Sequence, residues 1–272
     1  MTIEFLNPDS SRRVFRAVLF DFDGTLSLIR EGWADVMVGM MAERLRGMGL
    51  MRASEADERA GLERLVMALN GAPTIRQMEA FAEEVRGRGG RPDDPWDYLR
   101  DYLDRLTAVV RDRWAALESG AASADAWVVP GAHGLLAELR DRGVPLFVAS
   151  GTDRAHVERE AELLGVAGFF PTGINAPTDN DPAFSKAAVI DRILRELGIR
   201  GEELLGFGDG VVETTEVKKV GGVAVGVASS PHGNRPGVVN PDKRARLLAA
   251  GADLIIPDYS DPVALVRRLW GE

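Results

Sequence analysis

Four groups of polar residues stand out from an otherwise apolar-patterned chain. They are Asp21 and Asp23 in D-F-D-G-T, Ser150 and Gly151 in S-G-T, Lys186, and Asp209 with Glu213 in G-D-G-V-V-E. Clustered carboxylates suit a hard divalent cation with oxygen ligands, and Mg2+ is the usual choice beside phosphate. The Ser150 hydroxyl and the backbone N–H groups of Gly24, Thr25 and Gly151 are donors suited to phosphate oxygens, and Lys186 adds a point charge. The inventory fits phosphoryl transfer, in which an anion is held beside an anionic nucleophile and the developing charge is neutralised.

The surrounding pattern predicts how these groups are positioned. Val14 to Phe20 ends in a continuous apolar run, as expected of a buried parallel strand, and stops at the acidic turn 21–25. Pro145–Ala149 and Leu204–Phe207 are similar runs, ending at Ser150 and at Gly208-Asp209-Gly210; Gly222–Val227 and Asp253–Ile256 complete the strands. Helical segments are predicted at Pro130–Arg142, Asp153–Leu164 and Lys186–Leu197, the last ended by Gly198. This alternation implies an α/β fold, a doubly wound, Rossmann-like parallel sheet with helices on both faces. Ligands of such sheets bind outside the carboxyl ends of the strands, where the three post-strand groups would converge and Lys186 could reach from its helix start. From about Glu31 to Trp127 no strand of this kind appears. Trp33, Val36, Met37, Met40 and Met41, and later Tyr98, Tyr102, Leu106, Val109 and Val110, recur at helical spacing. The expected organisation is a core of residues 1–29 and 129–272 carrying an α-helical cap of residues 30–128.

D-F-D-G-T-L at 21–26, V-A-S-G at 148–151, Lys186 and G-D-G-V-V-E at 208–213 resemble the four motifs of the haloacid dehalogenase-like hydrolase superfamily, in the family's order. The helical insertion after the first motif resembles the cap of its phosphoglycolate phosphatase and β-phosphoglucomutase branch. The resemblance implies that Asp21 is a nucleophile forming an aspartyl-phosphate and that Asp23 is the general acid and base. It implies Mg2+ held by Asp21, the Asp23 carbonyl and Asp209 and supported by Glu213, with Ser150 and Lys186 on the phosphoryl group. Glu213 stands where aspartate is frequent, which leaves open whether it meets the metal directly or through water.

Within the superfamily, Asp23 argues against dehalogenases, which lack an acid there, and against the transport ATPases, which carry threonine. A cap without lysine excludes the Schiff-base chemistry of the phosphonate-cleaving members. A phosphatase acting on a small phosphorylated metabolite, such as a sugar, cyclitol or polyol phosphate, is the leading expectation. A phosphomutase and a non-catalytic phosphate-ester-binding protein are the alternatives. Cap and loop candidates for substrate contact are Glu31, Trp33, Asn70, Thr74 and Gln77, with N-G-A-P-T-I-R-Q read as a loop between helices, and His232 and Arg235 after the strand at 222–227.

The 272 residues carry a net charge of -9 and a pI near 5.1, which argues against nucleic acid or an anionic membrane as partner. There is no cysteine, so disulfides, thiolate catalysis and cysteine-bound zinc are excluded. No stretch is apolar enough to span a membrane, and the cytoplasm is the expected compartment. The only lysines are Lys186, Lys218, Lys219 and Lys243.

Overall fold

The computed structural model describes residues 3–7, 13–171, 173–179, 181–230 and 236–272. His232 and Arg235 lie outside them. A seven-stranded sheet forms from β1 (Glu4–Phe5), β2 (Ala17–Phe20), β3 (Leu146–Ala149), β4 (Ile174–Asn175), β5 (Leu204–Gly208), β6 (Val223–Val227) and β7 (Leu254–Ile256), in the order β1-β7-β6-β5-β2-β3-β4. All pairings are parallel except β1 with β7, which is antiparallel. The α/β architecture expected of the sequence is therefore the one adopted, with an antiparallel edge added.

Period-two alternation in the central strands serves two buried faces. Ala17 and Leu19 of β2 join Phe147, Leu204 and Ala224 beneath α7 (Lys186–Leu197) and α8 (Val211–Lys219). Val18 and Phe20 face the other way with Val148, Leu205, Phe207 and Val225, packed among side chains of α5 (Ala132–Asp141) and α10 (Pro262–Trp270). The Phe20 and Phe207 rings stack with centroids 4.9 Å apart. Helices α6 (Arg154–Leu163) and α9 (Pro241–Ala249) complete the core.

The strand order reverses at β2: the chain moves outward through β3 and β4, then returns to lay β5 on the other side of β2. Phe20 pairs with Val148 and with Phe207, so the carboxyl ends of β2, β3 and β5 lie side by side.

Four helices stand between β2 and α5: α1 (Trp33–Gly47), α2 (Glu55–Ala68), α3 (Thr74–Gly87) and α4 (Pro95–Glu118). Met37, Met40, Met41, Leu62, Val66, Phe81 and Tyr98 are fully buried there. Their starts are capped where the sequence supplies oxygen acceptors: Ser54 accepts from Asp57 N–H and Asp94 from Trp96 N–H. A buried Glu58–Arg88 pair at 2.7 Å ties α2 to the end of α3. The two connecting segments run side by side, Leu28 N–H donating to Trp127 O and Val129 N–H to Leu26 O. Among the described residues no helix is long and apolar enough to cross a membrane.

Candidate active site

Asp21 begins where β2 ends. Its backbone N–H donates to Phe207 O at 2.9 Å, so the last strand bond sets its position beside β5. Lys186, the first residue of α7, reaches across to donate to Asp21 Oδ1 at 2.8 Å and Glu213 Oε2 at 3.0 Å. Carboxylate oxygens of Asp21, Asp209 and Glu213 all lie within 4.8 Å of one another, and all three residues are buried. Burial, together with the Glu213 and Asp209 charges and against Lys186, pushes the Asp21 carboxyl well above the ordinary range. Burial alone would lower Lys186, but Asp21 and Glu213 hold its ammonium above the usual lysine range. Crowded, buried oxygen acids of this kind favour a small divalent cation, and the all-oxygen donor set fits Mg2+. Both Glu213 oxygens already receive donors, Oε2 from Lys186 and Oε1 from Gly210 N–H at the start of α8.

Asp23 lies on the other side of the turn. Thr152 Oγ1 donates to its Oδ2 at 2.7 Å. Its Oδ1 makes no hydrogen bond among the described residues and stands 3.8 Å from Arg30 Nε. Burial raises the Asp23 carboxyl, partly countered by Arg30 and Thr152. Arg30 is itself buried and donates from Nε to Glu160 Oε1 at 2.9 Å; Trp114 Nε1 donates to the same oxygen at 3.3 Å. Burial, only partly offset by Arg30, pushes Glu160 up to about 7.

The cleft above these groups encloses about 640 Å3 of space open to solvent. Asp21, Asp23 and Ser150 line it with Trp33, Asn70, Thr74, Gln77, Tyr102, Thr152 and His156. Glu31 instead lines an adjoining cleft, shared with Asp23, Trp33, Asn70, Asp209 and Lys243. Ser150 Oγ accepts from Thr152 N–H at 3.1 Å, and Asp153, not Ser150, caps α6. The Ser150 hydroxyl proton is thus left for another acceptor.

Several expectations are revised. Gly24 N–H donates to Ser27 O and Thr25 N–H to Phe22 O, so the turn itself occupies two N–H groups expected to face phosphate. Gly24 serves the site in another way. Its φ of +76° and missing side chain admit Asp209, whose Oδ2 would lie 2.1 Å from a Cβ there. Thr74 and Gln77 belong to α3 rather than to a loop. Gln77 Nε2 donates to Val66 O near the open end of α2, so its amide is spent between α3 and α2. Arg30, Glu160 and Lys243 carry no motif that would single them out in the sequence, and Thr152, though it stands in S-G-T, carries no signal that it would meet Asp23. The scarcity of lysine is the one available signal, and it points to Lys243 as much as to Lys186.

The loop at 70–72, between α2 and α3, presses directly on the acid cluster. A Cβ on Gly71 would lie 2.5 Å from Glu213 Oε2 and 3.2 Å from Lys186 Nζ; one on Gly151 would lie 2.3 Å from Ala72 O. A misplacement of about 1 Å can cost about 10²-fold in rate. Gly151→Ala is therefore expected to lower kcat/KM by about 10–100-fold and, because the atoms it would displace are backbone, to lower Tm as well. Unchanged kinetics would mean that this loop contact has no part in turnover.

A family profile described as haloacid dehalogenase-like hydrolase matches residues 15–221, a span that contains every motif residue above. The chain belongs to this family. No curated protein sequence matches it. Among solved structures, a predicted phosphoglycolate phosphatase from Haemophilus somnus 129PT shares 16% identity, covering 93% of this chain and 98% of the other, with a TM-score of 0.58. A β-phosphoglucomutase from Clostridium difficile shares 10%, covering 95% and 98%, at 0.61. A family hydrolase from Deinococcus radiodurans R1, with bound phosphate and sodium, shares 21%, covering 94% and 96%, at 0.56. At these identities the likeness is one of fold. As a family member the protein is a hydrolase, and the fold is shared with phosphatases.

Proposed function

We propose that the protein is a Mg2+-dependent phosphomonoesterase acting on a neutral polyol or sugar phosphate. The observation that carries this reading is Asp21, held by Lys186 at 2.8 Å and grouped with Asp209 and Glu213, where it lines a cleft together with Asp23. The Asp21 carboxylate attacks phosphorus, an O–P bond forms, and the bond to the leaving oxygen breaks as Asp23 gives that oxygen its proton. Water then attacks the aspartyl-phosphate and gives a proton to Asp23, and inorganic phosphate leaves with Asp21 restored. Bound Mg2+, on Asp21, the Asp23 carbonyl and Asp209, supplies positive charge that neutralises the phosphoryl oxygens. Glu213, with both oxygens already accepting hydrogen bonds, would support the metal from behind the other acids. Ser150 and Gly151 donate to the phosphoryl group. Asp23 Oδ1, free of hydrogen bonds among the described residues, suits the proton transfers.

The lining of the cleft supports the substrate class. Its basic side chains, among the described residues, are Arg30 and His156. Arg30 is committed to Glu160 and Asp23, and burial with the Arg30 charge pushes His156 below its ordinary range. A second anionic group on the substrate would find no uncommitted partner there, and an unpaired buried charge is costly. Hydroxyls would find Asn70, Thr74, Thr152 and Tyr102. Phosphate release from a panel of metabolites, with Mg2+ and with chelator, tests this. Expected is Mg2+-dependent release, with kcat/KM for polyol or hexose phosphates exceeding that for phosphoglycolate by more than about tenfold. The opposite preference would reject the substrate class. Isomerisation of a sugar 1-phosphate without phosphate release would instead establish a mutase, and binding without turnover a regulatory protein.

A further inference from the structure

Lys243 sits outside every motif, yet its Nζ lies 2.8 Å from Asp209 Oδ2, with both side chains almost buried. The same ammonium donates to Ser229 Oγ at 3.1 Å, and that hydroxyl donates to Gly24 O at 3.0 Å. The chain Lys243–Ser229–Gly24 thereby connects the first turn of α9, the end of β6 and the turn after Asp21. Asn240 fixes the helix start, its Oδ1 accepting from the N–H groups of Asp242 and Lys243. A cation in the first turn of a helix opposes the helix dipole, which favours acids there. Lys186 violates the same preference at the start of α7, and it too spends its ammonium on the acid cluster. Lys218, by contrast, sits in the last turn of α8, as the dipole prefers, and pairs with Asp253 away from the site.

We infer that Lys243 is a positioning residue for the metal site, holding one oxygen of Asp209 so that the carboxylate is presented to Mg2+ in a fixed orientation. The inference rests on the Mg2+ reading above. Gly24, without a side chain, leaves room for Asp209 at this spot, and Ser229 accepts a second hydrogen bond from the same ammonium. The alternative, that Lys243 only offsets negative charge, makes the opposite prediction. Removing a cation from beside a metal ligand would then tighten Mg2+ binding, whereas removing a positioning contact weakens it.

Mg2+ binding to wild type, Lys243→Met and Ser229→Ala is measured by calorimetry and by Mg2+-dependent shifts in Tm, both without substrate. Lys243→Met is expected to raise the Mg2+ Kd by about 10–100-fold, as loss of contacts behind metal ligands commonly does. Ser229→Ala, which removes only the anchor, is expected to raise it by a smaller factor, about threefold, and stands as the test if Lys243→Met does not fold. Phosphate release at saturating Mg2+ should recover most of the wild-type kcat in both variants. An unchanged or tighter Mg2+ Kd in Lys243→Met would overturn the inference. A Tm lowered equally in Mg2+ and in chelator, with the Kd unmoved, would reduce Lys243 to a structural ion pair. Absence of Mg2+ binding by wild type would instead overturn the Mg2+ reading itself.

Discussion

Asp21→Asn is expected to lower phosphate release by at least about 10^4-fold, the scale of losing a nucleophile that acts as part of a unit. The amide keeps the shape and the contact with Lys186 but cannot form an acyl phosphate that water later cleaves. Its effect on the fold should be small, and the sign can be worked out. Burial raises the Asp21 carboxyl above its unfolded value of 3.8, with Glu213 and Asp209 adding to the rise and Lys186 opposing it. The native state therefore holds that proton more tightly than the unfolded state, and the wild type loses stability as pH rises from about 4 toward the native value. Asparagine has no such proton. In chelator at pH 7 the variant should resist urea at least as well as wild type, while calorimetry still detects substrate binding in Mg2+. Turnover within tenfold of wild type would remove Asp21 from the nucleophile role.

Much of the architecture was legible because strong local signals agreed with the global fold. The apolar runs of β2, β3 and β5 each stop at a polar turn, and α7 begins at Lys186 and ends at Leu197 as its period and the following Gly198 imply. The run of helices from α1 to α4 was legible because helical spacing replaces strand patterning over about a hundred residues. Two strands were not. Glu4–Phe5 and Ile174–Asn175 are two residues long and carry no alternation to read. The antiparallel edge was hidden for the same reason. At the site, residues attached to motifs could be placed, but those held by distant partners could not. Arg30 meets Glu160 across 130 positions. Lys243 reads locally as a solvated helix residue until Asp209 is found beside it. Gln77 reads as a loop amide until α2 is seen to end where its side chain can reach Val66 O. These pairings are products of tertiary packing, which sequence periodicity does not encode.

Arg30→Met should be the most destabilising substitution near the cleft, and its cost should grow with pH. Arg30 and Glu160 are 6% and 0% exposed, so removing one partner leaves the other charge buried and unpaired. Such losses run to about 3–5 kcal/mol. Burial places Glu160 at about 7 in the native state, and Arg30 is what restrains it from rising further. A carboxyl raised above its unfolded value makes the protein less stable as pH rises between the two values. In wild type that decline ends near pH 7; without Arg30 it continues to higher pH, so the gap between the proteins widens. At pH 5 Glu160 is protonated in both, and the deficit should shrink to about 1–2 kcal/mol, the scale of lost hydrogen bonds. Urea unfolding at pH 5 to 8 in chelator reads this directly. Arg30→Met/Glu160→Gln should regain most of the loss at pH 8, since the Arg30–Glu160 pair is then two neutral groups, and the pH dependence that remains should be the smaller one of Asp23, whose carboxyl Arg30 no longer lowers. A deficit that stays constant across this range would locate the cost in packing rather than in Glu160. The consequence for turnover is separable, because Arg30 also stands 3.8 Å from Asp23 and lowers its carboxyl. The double variant, restored in stability, should still show an altered pH–rate profile, which separates a cation that tunes Asp23 from one that only pairs with Glu160.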